Sequence, residues 1–186
     1  MVLLQVFRSP RARRAIVQKL VMNTLEQHFP PAQHDHANCV ASAIARAELL
    51  CRDRGLRFTA IRRRVLELVW DSHKPIGAYS ILASLGEDSG SAAPPTVYRA
   101  LDFLIEAGLV HRLDSLNAYI GCPDPASRHA GQFLICTNCR TVAELGNIDV
   151  EKFVAEKAGE LGFTAIRQML EIEGLCKLCR TQLQNA

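Results

Sequence analysis

The chain has 186 residues, 48% hydrophobic and 22% charged, a balance that excludes disordered and fibrous classes and suits one sizeable core or two small ones. Its formal net charge of +3 misleads: residues 1–21 hold five basic side chains (Arg8, Arg11, Arg13, Arg14, Lys19) and no acid, leaving the other 165 residues at −2. Bulk charge therefore carries no argument for nucleic acid, and only charges placed within the body can do so.

Residues 1–37 read as a basic, flexible N-terminal extension broken by Pro30-Pro31, with Met22 as a possible alternative start. From Cys39 the helical signals become regular. Residues 39–53 carry Ala43, Ala47 and Leu50 on one face, with Gly55 as a stop. Thr59 is placed to cap a second helix with the stripe Ile61, Val65 and Leu68, and a third, short helix is expected over 78–85. Pro94-Pro95 opens a fourth helix, about Thr96 to Ala107, ended by Gly108. Strands over 109–113 and 118–120 follow, joined by the turn Asp114-Ser115-Leu116-Asn117.

In the fourth helix Val97, Ala100, Leu101 and Leu104 fall at i, i+3, i+4 and i+7 and must face a core. That leaves Thr96, Tyr98, Arg99 and Asp102 on the other surface, where a hydroxyl, a phenol and a guanidinium suit phosphates and base edges in a major groove. Three helices, a presenting helix and a hairpin make a winged helix-turn-helix over residues 38–119. Seven arginines between Arg46 and Arg64, including Arg62, Arg63 and Arg64, favour phosphate contact.

Residues 120–186 read as a small α/β unit, so the whole chain is α+β. Strands are expected over 132–135, 142–145 and 163–173. Between them lies an amphipathic helix over 149–161 with Val150, Phe153, Val154 and Leu161 inward. A unit of this size needs a metal or a partner subunit.

No apolar run reaches the roughly 18 residues of a membrane helix, so a soluble cytoplasmic protein without membrane contact is expected. In a reducing cytosol the seven cysteines should be metal ligands or packed thiols. Cys136-x-x-Cys139 and Cys176-x-x-Cys179 are two thiolate pairs with 36 residues between them, and four sulfurs complete a closed tetrahedral zinc site. Two redox dithiols or a pair of disulfides would not explain the duplication at both ends of one domain. His111, Cys122, His129 and Glu144 form a second, mixed donor set that suits zinc less tightly than four thiolates do. Taken singly, each of these four also fits an ordinary surface or packing role.

The run Pro94-Pro95-Thr96-Val97-Tyr98-Arg99-Ala100-Leu101, then Gly108-Leu109-Val110-His111 and the paired C-x-x-C motifs, resembles the ferric uptake regulator family over roughly Cys39 to Arg180. Within it the chain is most similar to the zinc uptake regulator branch. The single His129 in Ser127-Arg128-His129-Ala130-Gly131 departs from the His-rich run of iron-type members and disfavours iron or peroxide sensing. The resemblance implies two zinc ions per subunit: a structural one on Cys136, Cys139, Cys176 and Cys179, and a regulatory one on His111, Cys122, His129 and Glu144. It also implies a homodimer, a DNA contact from Tyr79, and zinc-dependent repression of zinc-homeostasis genes from palindromic operator DNA. A zinc enzyme is disfavoured because the mixed set offers four protein donors and no open position; a purely structural zinc protein would show no metal-dependent DNA binding.

Overall fold

The computed structural model of the chain describes residues 36–72, 74–89, 93–126, 131–145 and 150–184. Four helices come first: α1 (His36–Asp53), α2 (Ala60–Trp70), α3 (Ala78–Ser89) and α4 (Pro94–Glu106). The hairpin β1 (Val110–Leu113) and β2 (Ala118–Gly121) follows, then β3 (Gly131–Cys136), β4 (Val142–Glu144), α5 (Val150–Glu160), β5 (Met169–Gly174) and α6 (Lys177–Gln184). Of the expected extension, residues 1–35, with Met22, lie outside the described residues, and α1 begins at His36.

The helix boundaries follow from local chemistry. Gly55 and Gly108 sit just past α1 and α4 at φ +64° and +77°, a region open to glycine. Beyond each, the chain closes back: Leu56 N–H donates to Cys51 C=O and Leu109 N–H to Leu104 C=O, satisfying carbonyls the helices would leave open. Thr59 caps α2, its side chain accepting from the Arg62 amide. The apolar stripe of α4 is buried as its spacing requires, with Val97, Ala100, Leu101 and Leu104 at most 2% exposed. They pack with Val65, Leu66 and Val69 of α2, Ile81 and Leu85 of α3 and Ala47 and Cys51 of α1 into one core. Ile76 pairs with Tyr119 through two reciprocal backbone bonds of 2.9 Å, tying the hairpin to these helices.

The second sheet runs β4-β3-β5, with β4 antiparallel and β5 parallel to β3. Phe133 of β3 pairs with Glu144 on one side and Glu171 on the other, so these three residues form one row across the sheet. Leu113, Phe133, Ile135 and Val142 form a second apolar cluster, with Leu116 and Ile120 against it, so the underside of the hairpin rests on this sheet.

Two expectations need correction. The last strand covers only Met169–Gly174, because β3 begins at Gly131 opposite Met169 and residues 163–168 have no described strand beside them. The apolar face of α5 does not turn inward: the helix buries no residue, and Phe153, Val154 and Leu161 are exposed. Val150 is half-buried. Periodicity showed an apolar stripe, but the chain's own core does not receive it. The eight-residue helix α6 is amphipathic but short, and no helix is expected there from the sequence.

Candidate metal centres and reading face

Strand register builds the sulfur cluster. Cys136 ends β3 opposite Gly174 at the end of β5, and Thr137 N–H donates to Gly174 C=O at 2.9 Å. That pairing sets the turn after β3, carrying Cys139, against Cys176 and the first turn of α6, carrying Cys179. Ligand atoms of Cys136, Cys139, Cys176 and Cys179 all lie within 4.8 Å of one another. Sγ of Cys139 and Sγ of Cys176 are 3.8 Å apart, the edge of a tetrahedron with zinc–sulfur bonds of about 2.3 Å. Burial alone would push the Cys136 thiol up, but amides of Cys139, Cys176 and Asn138 bring it down to about 6. Cys176 is pushed up to about 12 by burial and the adjoining cysteines. Four crowded sulfurs cannot ionise together without a cation, and a dication is the partner that the donor set fits.

The mixed set draws on both sheets. His111 comes from β1, Cys122 follows β2, and Glu144 ends β4; their ligand atoms lie within 4.8 Å of one another. The Glu144 carboxylate oxygen Oε1 is 3.3 Å from His111 Nε2, with both side chains nearly buried. Burial, then the Glu144 carboxylate, pushes the Cys122 thiol up to about 12. A thiolate and a carboxylate so close, inside the protein, again call for a cation. The fourth expected donor, His129, lies outside the described residues.

Two glycines shape this site. A Cβ on Gly131 would come within 2.7 Å of the Phe133 ring, itself in a T-shaped contact with His111 at 5.2 Å between centroids. A Cβ on Gly121, just before Cys122, would lie 2.1 Å from Trp70 Nε1, so the indole of α2 is seated on the strand that leads into the thiol. Neither contact was anticipated from sequence, since it takes the fold to bring Trp70 to Gly121.

Of the expected DNA contacts, Thr96, Tyr98 and Arg99 are exposed on the first turns of α4, and Tyr79 of α3 is 77% exposed rather than packed between helices. The three arginines of α2 have internal partners. Arg62 lies 3.5 Å over the Phe103 ring and donates to Arg57 C=O. Arg63 pairs with Glu48. Arg64 pairs with Asp88 at 2.6 Å and Glu67 at 3.3 Å. These contacts brace α2 against its neighbours, leaving α4 and Tyr79 as the better-presented groups.

A winged-helix unit joined to a thiolate-clustered α/β unit defines a metal-binding protein of the winged-helix class. A model of the ferric uptake regulator family matches residues 53–173, and the chain belongs to that family. It is 39% identical over 139 residues to the zinc uptake regulation protein of Escherichia coli (strain K12), across 73% of this chain and 80% of that one. It is 32% identical over 133 residues to the zinc uptake regulation protein of Mycobacterium tuberculosis (strain ATCC 25618 / H37Rv), across 68% and 97%. Among solved structures it is similar to a zinc uptake regulator complexed with zinc and DNA. That match has a TM-score of 0.75 and 36% identity, over 79% of this chain and 98% of that one. The holo form of XcZur matches with a TM-score of 0.70 and 43% identity, over 75% and 98%.

Proposed function

We propose that this chain is a zinc-responsive transcriptional repressor that binds palindromic operator DNA as a homodimer in the cytoplasm, controls zinc-homeostasis genes and holds two zinc ions per subunit. The observation that carries the reading is the convergence of His111, Cys122 and Glu144 from the wing, the connector and the second sheet. Ligation by all three, with His129 as the fourth donor, would hold wing and sheet in one orientation. Zinc, when bound, supplies the dication that lets the buried Cys122 sulfur and Glu144 carboxylate carry charge together.

The named groups then divide the work. Cys136, Cys139, Cys176 and Cys179 tie the end of β5 to the end of β3 and make the small unit stable. Val97, Ala100, Leu101 and Leu104 seat α4, while Thr96, Tyr98 and Arg99 reach base edges and phosphates, with Tyr79 and the arginines of α2 flanking. A second copy covers the apolar surface of α5 and the turn after it, where Phe153 is 60% and Phe163 65% exposed. Two reading helices at fixed spacing then match a two-fold operator. No helix among the described residues is long and apolar enough to cross a membrane. Similarity to a regulator complexed with zinc and DNA supports the same reading.

The test is a binding titration on a palindromic duplex selected from a random library by the zinc-loaded protein, run against buffered free zinc with iron and manganese as controls. Binding that rises with zinc and not with iron or manganese supports the proposal, and a response to iron in place of zinc would assign the chain to iron sensing instead.

A further inference from the structure

We propose that Glu171 is a second anchor for the wing, a positioning residue that holds the hairpin tip on the second sheet while the His111–Cys122–Glu144 site holds its base. The inference rests on the zinc-gated reading above and extends it to a residue outside both metal sites.

Glu171 lies in β5, and its carboxylate is received by the turn between β1 and β2. One oxygen accepts from the Asp114 backbone N–H at 2.7 Å, the other from the Ser115 N–H at 3.1 Å, and the Ser115 hydroxyl donates to that second oxygen as well. These partners are 56 and 57 residues away in sequence, so the contact joins the two units. Burial alone would push the Glu171 carboxyl up, yet the Ser115 hydroxyl and the two amides hold it below its ordinary value. Adjacent backbone N–H groups aimed at one carboxylate form an anion-binding turn, and charge-assisted bonds of this kind are the strong ones.

The placement within the sheet gives the contact its consequence. Glu144, Phe133 and Glu171 form one row across β4, β3 and β5, and residues of one row share a face. On that face Glu144 meets His111, Phe133 makes a T-shaped contact with the same imidazole, and Glu171 meets the turn. Between them, Leu113, Leu116 and Ile120 rest on Phe133, Ile135 and Val142. At about 3.3 Å per residue, His111 and Asp114 lie roughly 10 Å apart along the strand. A hairpin held at its base alone can swivel about that point; held also at its tip, with an apolar floor between, it cannot.

The two anchors differ in chemistry. The base depends on metal ligation, whereas the tip depends on a carboxylate and three donors and needs no ion. Removing Glu171 therefore loosens the wing without removing a ligand, so zinc still binds but fixes the reader less well. In thermodynamic terms Glu171 contributes to the coupling between the metal site and DNA.

The experiment compares wild type, Glu171→Ala, Glu171→Gln, Ser115→Ala and Glu171→Ala/Ser115→Ala as full-length zinc-loaded protein. DNA affinity is read on the selected palindromic duplex, zinc per subunit by native mass spectrometry, and amide exchange at Asp114 and Ser115 without DNA. Expected are two zinc ions per subunit throughout and about tenfold weaker DNA binding for Glu171→Ala. Glu171→Gln should fall between, because its amide oxygen keeps one acceptor. Ser115→Ala should cost less, and nothing further once Glu171 is gone. Exchange at the Asp114 and Ser115 amides should rise in Glu171→Ala. Wild-type DNA affinity in Glu171→Ala with two zinc ions bound overturns the proposal. Should Glu171→Ala misfold, unchanged affinity in both Glu171→Gln and Ser115→Ala overturns it equally. If wild type fails to respond to zinc, the functional reading fails instead, and unchanged amide exchange in Glu171→Gln and Ser115→Ala then overturns the anchor on its own.

Discussion

Glu144 and His111 face each other from different sheets, carboxylate oxygen to imidazole nitrogen at 3.3 Å, with Cys122 in the same cluster. His111 belongs to the wing and Glu144 to the sheet beneath it, so under the proposed function a change in how these donors are held changes how α4 is aimed.

Cys122→Ser removes the thiolate from the mixed set and leaves the four-cysteine cluster untouched. Zinc should fall from two ions per subunit to one, the dimer should persist, and zinc-dependent DNA binding should weaken at least about tenfold, within the usual range of coupling between sites. Zinc counting and DNA titration on the same sample check this; an unchanged DNA affinity would remove Cys122 from the ligand set.

Zinc binding at that set should release protons. With the Cys122 thiol pushed up to about 12, it is protonated at pH 7 in the metal-free site and must lose its proton to ligate. Affinity therefore falls as pH falls, and about one proton per site should appear from Cys122 at neutral pH. Calorimetry in buffers of different ionisation enthalpy measures the release, and in Cys122→Ser both this binding event and its proton release should disappear.

Gly121→Ala introduces a methyl into the space held by the Trp70 indole, at a separation of 2.1 Å before relaxation. Overpacking of this kind costs about 1–3 kcal/mol. The expected outcome is a lower Tm and weaker zinc binding at the adjoining Cys122, both recovered in part by Trp70→Leu in the same chain. Since Trp70 is the chain's one tryptophan, its fluorescence reports the change directly.

Arg140 sits at φ +63° in the turn after Cys139, a left-handed conformation costly for a residue with a Cβ. Arg140→Gly should remove about 1–2 kcal/mol of strain against a glycine entropy cost of about 0.5–1 kcal/mol. A modest rise in Tm of the zinc-loaded protein is expected, with DNA affinity unchanged; thermal unfolding with zinc held constant checks it.

What was legible in the sequence was local. The spacing of Val97, Ala100, Leu101 and Leu104 determined which side of α4 is buried, Gly55 and Gly108 marked helix ends, and two C-x-x-C turns announced one cluster of four sulfurs. What was not legible depends on distant surfaces. The stripe of Phe153, Val154 and Leu161 reads the same whether the chain's own core or another copy covers it, and here the chain's own core does not. Arg62, Arg63 and Arg64 read as phosphate contacts, and the partners Phe103, Glu48 and Asp88 that the fold gives them come from three other helices. Glu171 carries no signal of its own in the sequence, and its role shows only once the fold brings the wing turn onto it.

The most direct test of the central claim reads zinc occupancy and DNA affinity together on wild-type protein across buffered free zinc. Affinity should rise by roughly 5- to 150-fold, the usual span of such coupling, as occupancy goes from one zinc ion per subunit to two. An affinity that stays flat across that second step would contradict the account, because the mixed site would then fill without directing the reading helix.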